Sequence, residues 1–390
     1  MIKKRELHLA LFLLLVMGAL IIAPISAEEY KTVTDMRGVQ VSIPEDPQRV
    51  IAMNGGLIDE VMYIFGVQDK MVGCCNSQNM GYSNYTYGDE TYHVCTTIRY
   101  VLNPGYCNLT NVGYFGTGPF GLPNVETIAS LEPDLLILRD KGSDDEKTAK
   151  FLEAMTGLDI PVVVLRYPDC YDDVKVDTLY EEIRLLGEVF GQQEKAEKTV
   201  DLMKKQVQLF KDRTSDIVDK DKPRVLFFGS TALSKTKSTG VGNAYGTSTI
   251  QSIFLEDIIN ARNAYDSTVT QLISAEELLS IDPDIIILCT SGGYHPPREM
   301  HENECFKQLQ DLRALQDERV HSLQANGYME ERLESPISLM VEAKAIYPDR
   351  FEDIDLEEWI RDYFKELYGV DDEKANELMD SLLLRYLEII

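Results

Sequence analysis

Little in this sequence points to covalent chemistry, to nucleic acid or to a chain that crosses a membrane many times. It contains no Gly-x-Ser-x-Gly elbow and no His-Glu-x-x-His helix, so neither a serine-hydrolase nucleophile nor a zinc-protease site is indicated. Basic residues are scarce: 38 Lys plus Arg stand against 65 Asp plus Glu, a net charge of −27 that repels phosphate backbones. The 7 cysteines follow no zinc-ligand spacing. Beyond Ala23 no apolar run approaches the length needed to span a bilayer. The stretch Gly240-Val-Gly242-Asn-Ala-Tyr-Gly246 is one residue too long for a dinucleotide fingerprint and lacks a Walker lysine-serine pair. It reads instead as a cleft-lining loop that enters the helix bearing Glu256.

What is present divides the chain. Residues 1–27 carry Lys3, Lys4 and Arg5, then an apolar run from Leu9 to Ala23, then Ile25-Ser26-Ala27, the pattern of a signal peptide. Cleavage or retention as an anchor both fit this pattern, and no cysteine near the junction supports a lipobox. Removing the leader takes away three basic residues and Glu6, which makes the chain still more acidic. In an exported chain Cys95 and Cys107 are one pair that could close a loop, and the odd count leaves at least one thiol unpaired.

The mature part repeats itself. Residues 125–138, VETIASLEPDLLIL, return in outline as residues 275–288, AEELLSIDPDIIIL, with Glu126/Glu276, Ser130/Ser280, Pro133/Pro283 and Asp134/Asp284 identical. Each copy reads as a short helix stopped at a Pro-Asp step and followed by a buried parallel strand. This predicts two α/β lobes, residues 28–176 and 220–390, with a ligand cleft between them. Residues 177–219 contain no proline and place Val200, Met203, Val207 and Phe210 at helical spacing, a stiff linking helix after a break near Gly191. The first lobe carries an insertion at residues 76–123, rich in Tyr, Asn and Gly, with two glycosylation tripeptides at Asn84 and Asn108. From Ser335 the pattern is helical, with apolar spacing that suggests packing on the second lobe.

In this order the pieces resemble the substrate-binding proteins of ABC importers for iron–siderophore complexes, haem and cobalamin. The carriers are Asp35-Met-Arg-Gly38, Val41 to Pro44, Pro47 to Val50, the helix Leu57 to Gly66, the Asn124 to Asp134 block, and Pro336 to Phe351. The resemblance implies two Rossmann-like three-layer lobes with parallel sheets, bridged by a single long α-helix. It implies a monomer with no intrinsic cofactor, exported to the periplasm or the outer face of the cell membrane. It also implies delivery of a metal chelate to an ABC permease dimer driven by a cytoplasmic ATPase. A ferric siderophore is the first expectation, a corrinoid or haem the next. A surface receptor or sensor, or an exported redox enzyme on the same fold, is the alternative.

The resemblance further implies one permease-docking glutamate per lobe, matched here at Glu60 and Glu256. Near Glu256 the family's Gly-Gly-Asn step reads Ile259-Asn-Ala-Arg-Asn263. Ligand contacts are expected at the carboxyl ends of the strands: Asn54, Arg139, Arg166 and Tyr167 on one lobe, Ser230, Thr231, Tyr294, His295, Asn326 and Tyr328 on the other. Arg166 with Tyr167 is the leading pair, since a guanidinium and a phenol can hold an anionic chelate or stack on a flat ring. His295 and His301 in YHPPREMHENEC invite a metal reading, but two prolines oppose the regular helix that would align them, so no metal ligands are assigned.

Overall fold

The central strands are apolar at every position, and that pattern has one stable outcome, a sheet covered on both faces. In the computed structural model, residues 29–54, 56–75, 82–87, 89–95, 98–113, 123–140, 146–171, 174–229, 241–289, 297–323 and 333–382 are described. The chain opens with the antiparallel hairpin β1 (Tyr30–Thr34) and β2 (Gln40–Pro44), turned at Gly38. Next come β3 (Val50–Met53), α1 (Leu57–Phe65) and β4 (Met71–Cys74). The insertion holds a second hairpin, β5 (Tyr82–Tyr87) and β6 (Glu90–Cys95), then α2 (Arg99–Leu102) and β7 (Thr110–Asn111). The repeated block follows as α3 (Val125–Ser130) and β8 (Leu135–Asp140), and α4 (Glu146–Gly157) and β9 (Val162–Arg166) complete this lobe's sheet. Its order is β7-β4-β3-β8-β9, all parallel. Val50, Ala52, Leu135, Ile137, Val163 and Leu165 face one core, and Ile51, Met53, Leu136, Leu138, Val162 and Val164 face the other.

A helical hairpin leads to the second lobe. Helix α5 (Asp177–Phe190) stops at Gly191, held at φ 64°, and α6 (Gln193–Thr214) runs for 22 residues. At 1.5 Å per residue α6 is roughly 33 Å long. Its Ala196, Val200 and Met203 lie in the first lobe's core and its Phe210 in the second lobe's core. The expected linking helix is therefore an integral part of both cores.

The second lobe has β10 (Arg224–Gly229), β11 (Gly242–Ala244), α7 (Ile250–Ile253), β12 (Arg262–Asn263) and β13 (Gln271–Ile273), then α8 (Ala275–Ile281) and β14 (Ile285–Leu288). Helices α9 (Glu299–Glu302) and α10 (Arg313–Gln316) precede β15 (Val320–Ser322). Strands β10, β12, β14 and β15 are mutually parallel, but β11 runs antiparallel to β10 and pairs antiparallel with β13, so one edge departs from the all-parallel expectation. Gly242–Ala244 of the glycine-rich stretch form β11, an inner strand between β10 and the edge strand β13, rather than a cleft loop. A Cβ at Gly242 would come within 2.3 Å of the Phe228 ring, so the glycine is there for packing.

The repeat closes both lobes in the same way. The Asp134 carboxylate accepts the backbone N–H groups of Gln48 and Arg49, and the Arg49 side chain donates to the carbonyls of Leu131 and Glu132. Asp284 accepts the N–H of Arg224, whose guanidinium donates to the Asp282 carbonyl. Each Pro-Asp step thus clamps the start of one central strand to its neighbour.

The last helices correct the expected boundary at residues 220–390. Helix α11 (Ser335–Ile346) is buried at every position but Lys344, with Ile337 in the first core and Leu339 to Ile346 largely in the second. Helices α12 (Leu356–Tyr368) and α13 (Asp372–Ser381) then return to the first lobe, where Ile360, Tyr363, Phe364, Leu367, Leu378 and Met379 join its core. Apolar spacing shows that a helix buries a face; it does not say against which lobe.

This framework makes two predictions about stability. Replacing Asp134 or Asp284 with Ala removes charge-assisted bonds at one strand start and should cost about 1–2 kcal/mol each, read from urea midpoints; no loss at either position would contradict the clamp. His321 on β15 is buried, and burial, aided by the nearby Arg319 charge, pushes its imidazole down to about 4. Its contribution is complete above the unfolded value near 6.5 and is lost as the pH falls toward 4, by about 2–3 kcal/mol. His321→Gln should flatten that part of the pH–stability curve, and an identical curve for the variant would contradict the assignment.

Candidate functional site

In a parallel sheet the strand carboxyl ends and the following helix starts converge on one edge. On the first lobe that edge is knitted by Asn54, which follows β3 at φ 53°. Its N–H donates to Cys75 Sγ at 3.1 Å, its Nδ2 donates to the Arg139 carbonyl at 3.1 Å, and its own carbonyl accepts Tyr167 Oη at 3.4 Å. One left-handed residue therefore ties the ends of β3, β4, β8 and β9. Burial pushes the Cys75 thiol up to about 12, so it is a neutral acceptor here.

Arg139 is buried in an ion pair. It is 1% exposed, its Nε and Nη2 each donate to Glu182 of α5 at 2.6 Å, and the Tyr167 ring lies 3.9 Å from its guanidinium carbon. The expectation of a ligand-binding Arg139 is corrected: its charge is neutralised internally and joins β8 to α5. Tyr167 is 7% exposed, with the Arg139 guanidinium over its ring. The sequence contained no sign of Glu182 as partner, because the pairing joins residues 43 apart through the fold.

Arg166 ends β9 half-buried, beside Tyr171, whose phenol is raised by burial and lowered by the Arg166 charge. Asp140 completes this edge, its carbonyl accepting the N–H of Tyr167 at 3.1 Å and the thiol of Cys170 at 3.3 Å. Tyr171 and Cys170 were not singled out from sequence, since neither lies in a recognisable motif. Of the predicted set the structure brings Asn54, Arg139, Arg166 and Tyr167 together. Ser230, Thr231, Tyr294, His295, Asn326 and Tyr328 lie outside the described residues, in segments that follow β10, β14 and β15. His301 is exposed, and no cluster of three or more His, Cys, Asp or Glu suited to a metal occurs among the described residues. Cys107 is a free thiol, so the Cys95–Cys107 bridge is not formed.

The two docking glutamates part company. Glu60 is 0% exposed on α1. It lies near the phenols of Tyr363 and Tyr368 on α12, which are raised first by burial, then by the Glu334 charge, with Glu60 adding to both. A carboxylate at this depth cannot meet an arginine of another protein, and the docking role is withdrawn from Glu60. Glu256 is exposed, as the role requires. Glu126, in the first turn of α3, is also exposed. The α3 cap Asn124 donates its N–H to the Val112 carbonyl, and Val112 donates to the Cys74 carbonyl at the carboxyl end of β4, which puts Glu126 near the strand carboxyl-end edge.

The insertion is rooted on the first lobe. Arg99 of α2 is 6% exposed, pairs with Asp59 of α1 and donates to Tyr106 Oη at 2.8 Å. Burial opposes its charge, and the Asp59 carboxylate outweighs that effect and raises its pKa.

Two α/β lobes are thus joined through one shared helix. Residues 51–325 match the family described as periplasmic binding protein, and the chain belongs to that family. It is 22% identical over 328 residues to the uncharacterized ABC transporter substrate-binding lipoprotein YvrC of Bacillus subtilis (strain 168), covering 83% of this chain and 87% of that one. It is 24% identical over 272 residues to the molybdate-binding protein MolA of Haemophilus influenzae, covering 64% of this chain and 71% of MolA. In structure it is similar to a periplasmic solute binding protein from Veillonella parvula, with a TM-score of 0.70 and 21% identity over 90% of this chain and 97% of the other. The crystal structure of MolA bound to molybdate gives a TM-score of 0.67 at 18% identity, covering 87% and 98%.

The Arg139 correction has a direct test. Glu182→Ala, which strands a buried cation, should cost about 3–5 kcal/mol, whereas the double replacement Arg139→Met with Glu182→Leu should recover most of that loss. Equal losses in both, by chemical denaturation, would contradict a buried pair whose two charges offset each other.

Proposed function

We propose that this chain is the extracytoplasmic substrate-binding component of an ABC importer, acting as a monomer without covalent chemistry. It captures its ligand between the strand carboxyl ends of the two lobes and presents it to a permease dimer driven by a cytoplasmic ATPase. Membership of a binding-protein family and the likeness to YvrC support the role; the leader-like pattern at residues 1–27 supports export to the periplasm or the outer face of the cell membrane. No helix among the described residues is long and apolar enough to cross a membrane.

The ligand we propose is a metal-centred anion held on the first lobe by Arg166 and Tyr171. The observation that supports this is the place of Arg166, half-buried at the carboxyl end of β9 beside Tyr171. A ferric siderophore is the first candidate and a corrinoid or haem the next. Molybdate is a second reading, favoured by the likeness to MolA in both sequence and fold. Native mass spectrometry and calorimetry of the mature chain with ferric siderophores, haem, cobalamins and molybdate discriminate these. A one-to-one complex weakened about tenfold or more by Arg166→Ala is expected; binding indifferent to Arg166 would overturn the proposed contact.

Docking is proposed through Glu256 on the second lobe and Glu126 on the first. Two carboxylates on rigidly joined lobes can each form charge-assisted bonds to permease arginines and so fix the orientation of delivery. Glu256→Lys and Glu126→Lys should each abolish most uptake while leaving ligand affinity intact, and undiminished uptake would remove the residue concerned from the docking surface.

A further inference from the structure

The local backbone around Glu256 is unusual for so short a segment. Helix α7 passes at Phe254–Ile258 into a π-helical turn, and such turns insert one residue that re-aims a side chain. Ser252 and Asn263 lie beneath the re-aimed carboxylate, 1% and 7% exposed. Ser252 Oγ donates to Glu256 Oε2 at 3.3 Å, and the Asn263 N–H donates to Glu256 Oε1 at 3.4 Å. Asn263 Nδ2 in turn donates to Ser252 Oγ at 3.2 Å and to the Tyr245 carbonyl at 3.0 Å, while its Oδ1 accepts the Tyr265 N–H at 3.0 Å. The single Ser252 hydroxyl proton is thereby directed at Glu256, because its oxygen is already accepting from Asn263. Every donor in the set is neutral and lies on the protein side.

From this geometry we infer that Ser252 and Asn263 are positioning residues for Glu256: they hold both carboxylate oxygens from one edge and leave the other edge presented to an arginine fork. The inference rests on the docking reading of Glu256. An exposed glutamate normally loses rotamer freedom when it pairs, a cost of up to about 2 kcal/mol. A carboxylate already fixed by buried donors avoids much of that loss at the moment of docking. Bidentate recognition by arginine demands such a fixed orientation. The same network explains how Asn263 takes part although the preceding Gly-Gly pair is missing: what it supplies to Glu256 is a backbone N–H, with its side chain locked by Tyr245 and Tyr265.

A double-mutant cycle tests this with the ligand-free full mature chain binding to proteoliposomes that carry the importer's permease–ATPase complex. Glu256→Gln, Ser252→Ala and the pair are compared. Ser252→Ala alone should weaken binding about threefold to tenfold, and the same change in the Glu256→Gln background should do nothing further. Should Ala disturb the fold by circular dichroism, Ser252→Cys, similar in volume with a weaker donor, replaces it in the same cycle. No effect of Glu256→Gln overturns the docking reading itself. A Glu256→Gln effect with no Ser252 effect, or with a Ser252 effect that persists unchanged in the Glu256→Gln background, overturns the positioning role and leaves docking intact.

Discussion

Everything in this molecule depends on one helix being buried in two cores. Helix α6 places Val200 and Met203 among the apolar residues of the first lobe and Phe210 among those of the second, with no proline or glycine along its 22 residues. Unwinding it anywhere would expose apolar surface on both sides at once, so the separation of the lobes is set by helix geometry and not by a flexible linker. Helix α11 doubles the crossing, and Val176, Leu356 and Trp359 pack against both cores.

Rigid lobes make sense of what happens at the ligand edge. The side chains that hold strand ends together are themselves polar: Asn54 by three hydrogen bonds, Arg139 and Glu182 by a bidentate pair capped with Tyr167. Such groups resemble ligand contacts in sequence because both occupy the same strand-end positions. Their burial separates them. What is buried and bidentate, as Arg139 with Glu182 is, supports the edge, whereas Arg166 at the end of β9 is only half-buried.

The two-lobe plan was legible because it is written twice. Six identities in the repeated helix–Pro-Asp–strand block, and an unbroken apolar pattern from Val200 to Phe210, carried the architecture. The glycine-rich stretch was misleading, since glycine serves a cleft loop and a close-packed strand equally, and only the Phe228 ring against Gly242 decides. Glu60 shows the same limit: its position in a motif was visible, but whether an acidic helix residue faces water or an aromatic cluster on α12 depends on a segment near the other end of the chain. The return of α12 and α13 to the first lobe was hidden for that reason too. Periodicity reports that a face is apolar and is silent on its partner.

The most direct test of the account is hydrogen exchange along α6, read by mass spectrometry on the intact mature chain. If one continuous helix holds both cores, amides from Ala196 through Phe210 will exchange together and among the slowest in the protein. Fast exchange confined to residues 204–208, between the two buried halves, would show that the lobes are hinged at the helix centre and would contradict the rigid two-core arrangement.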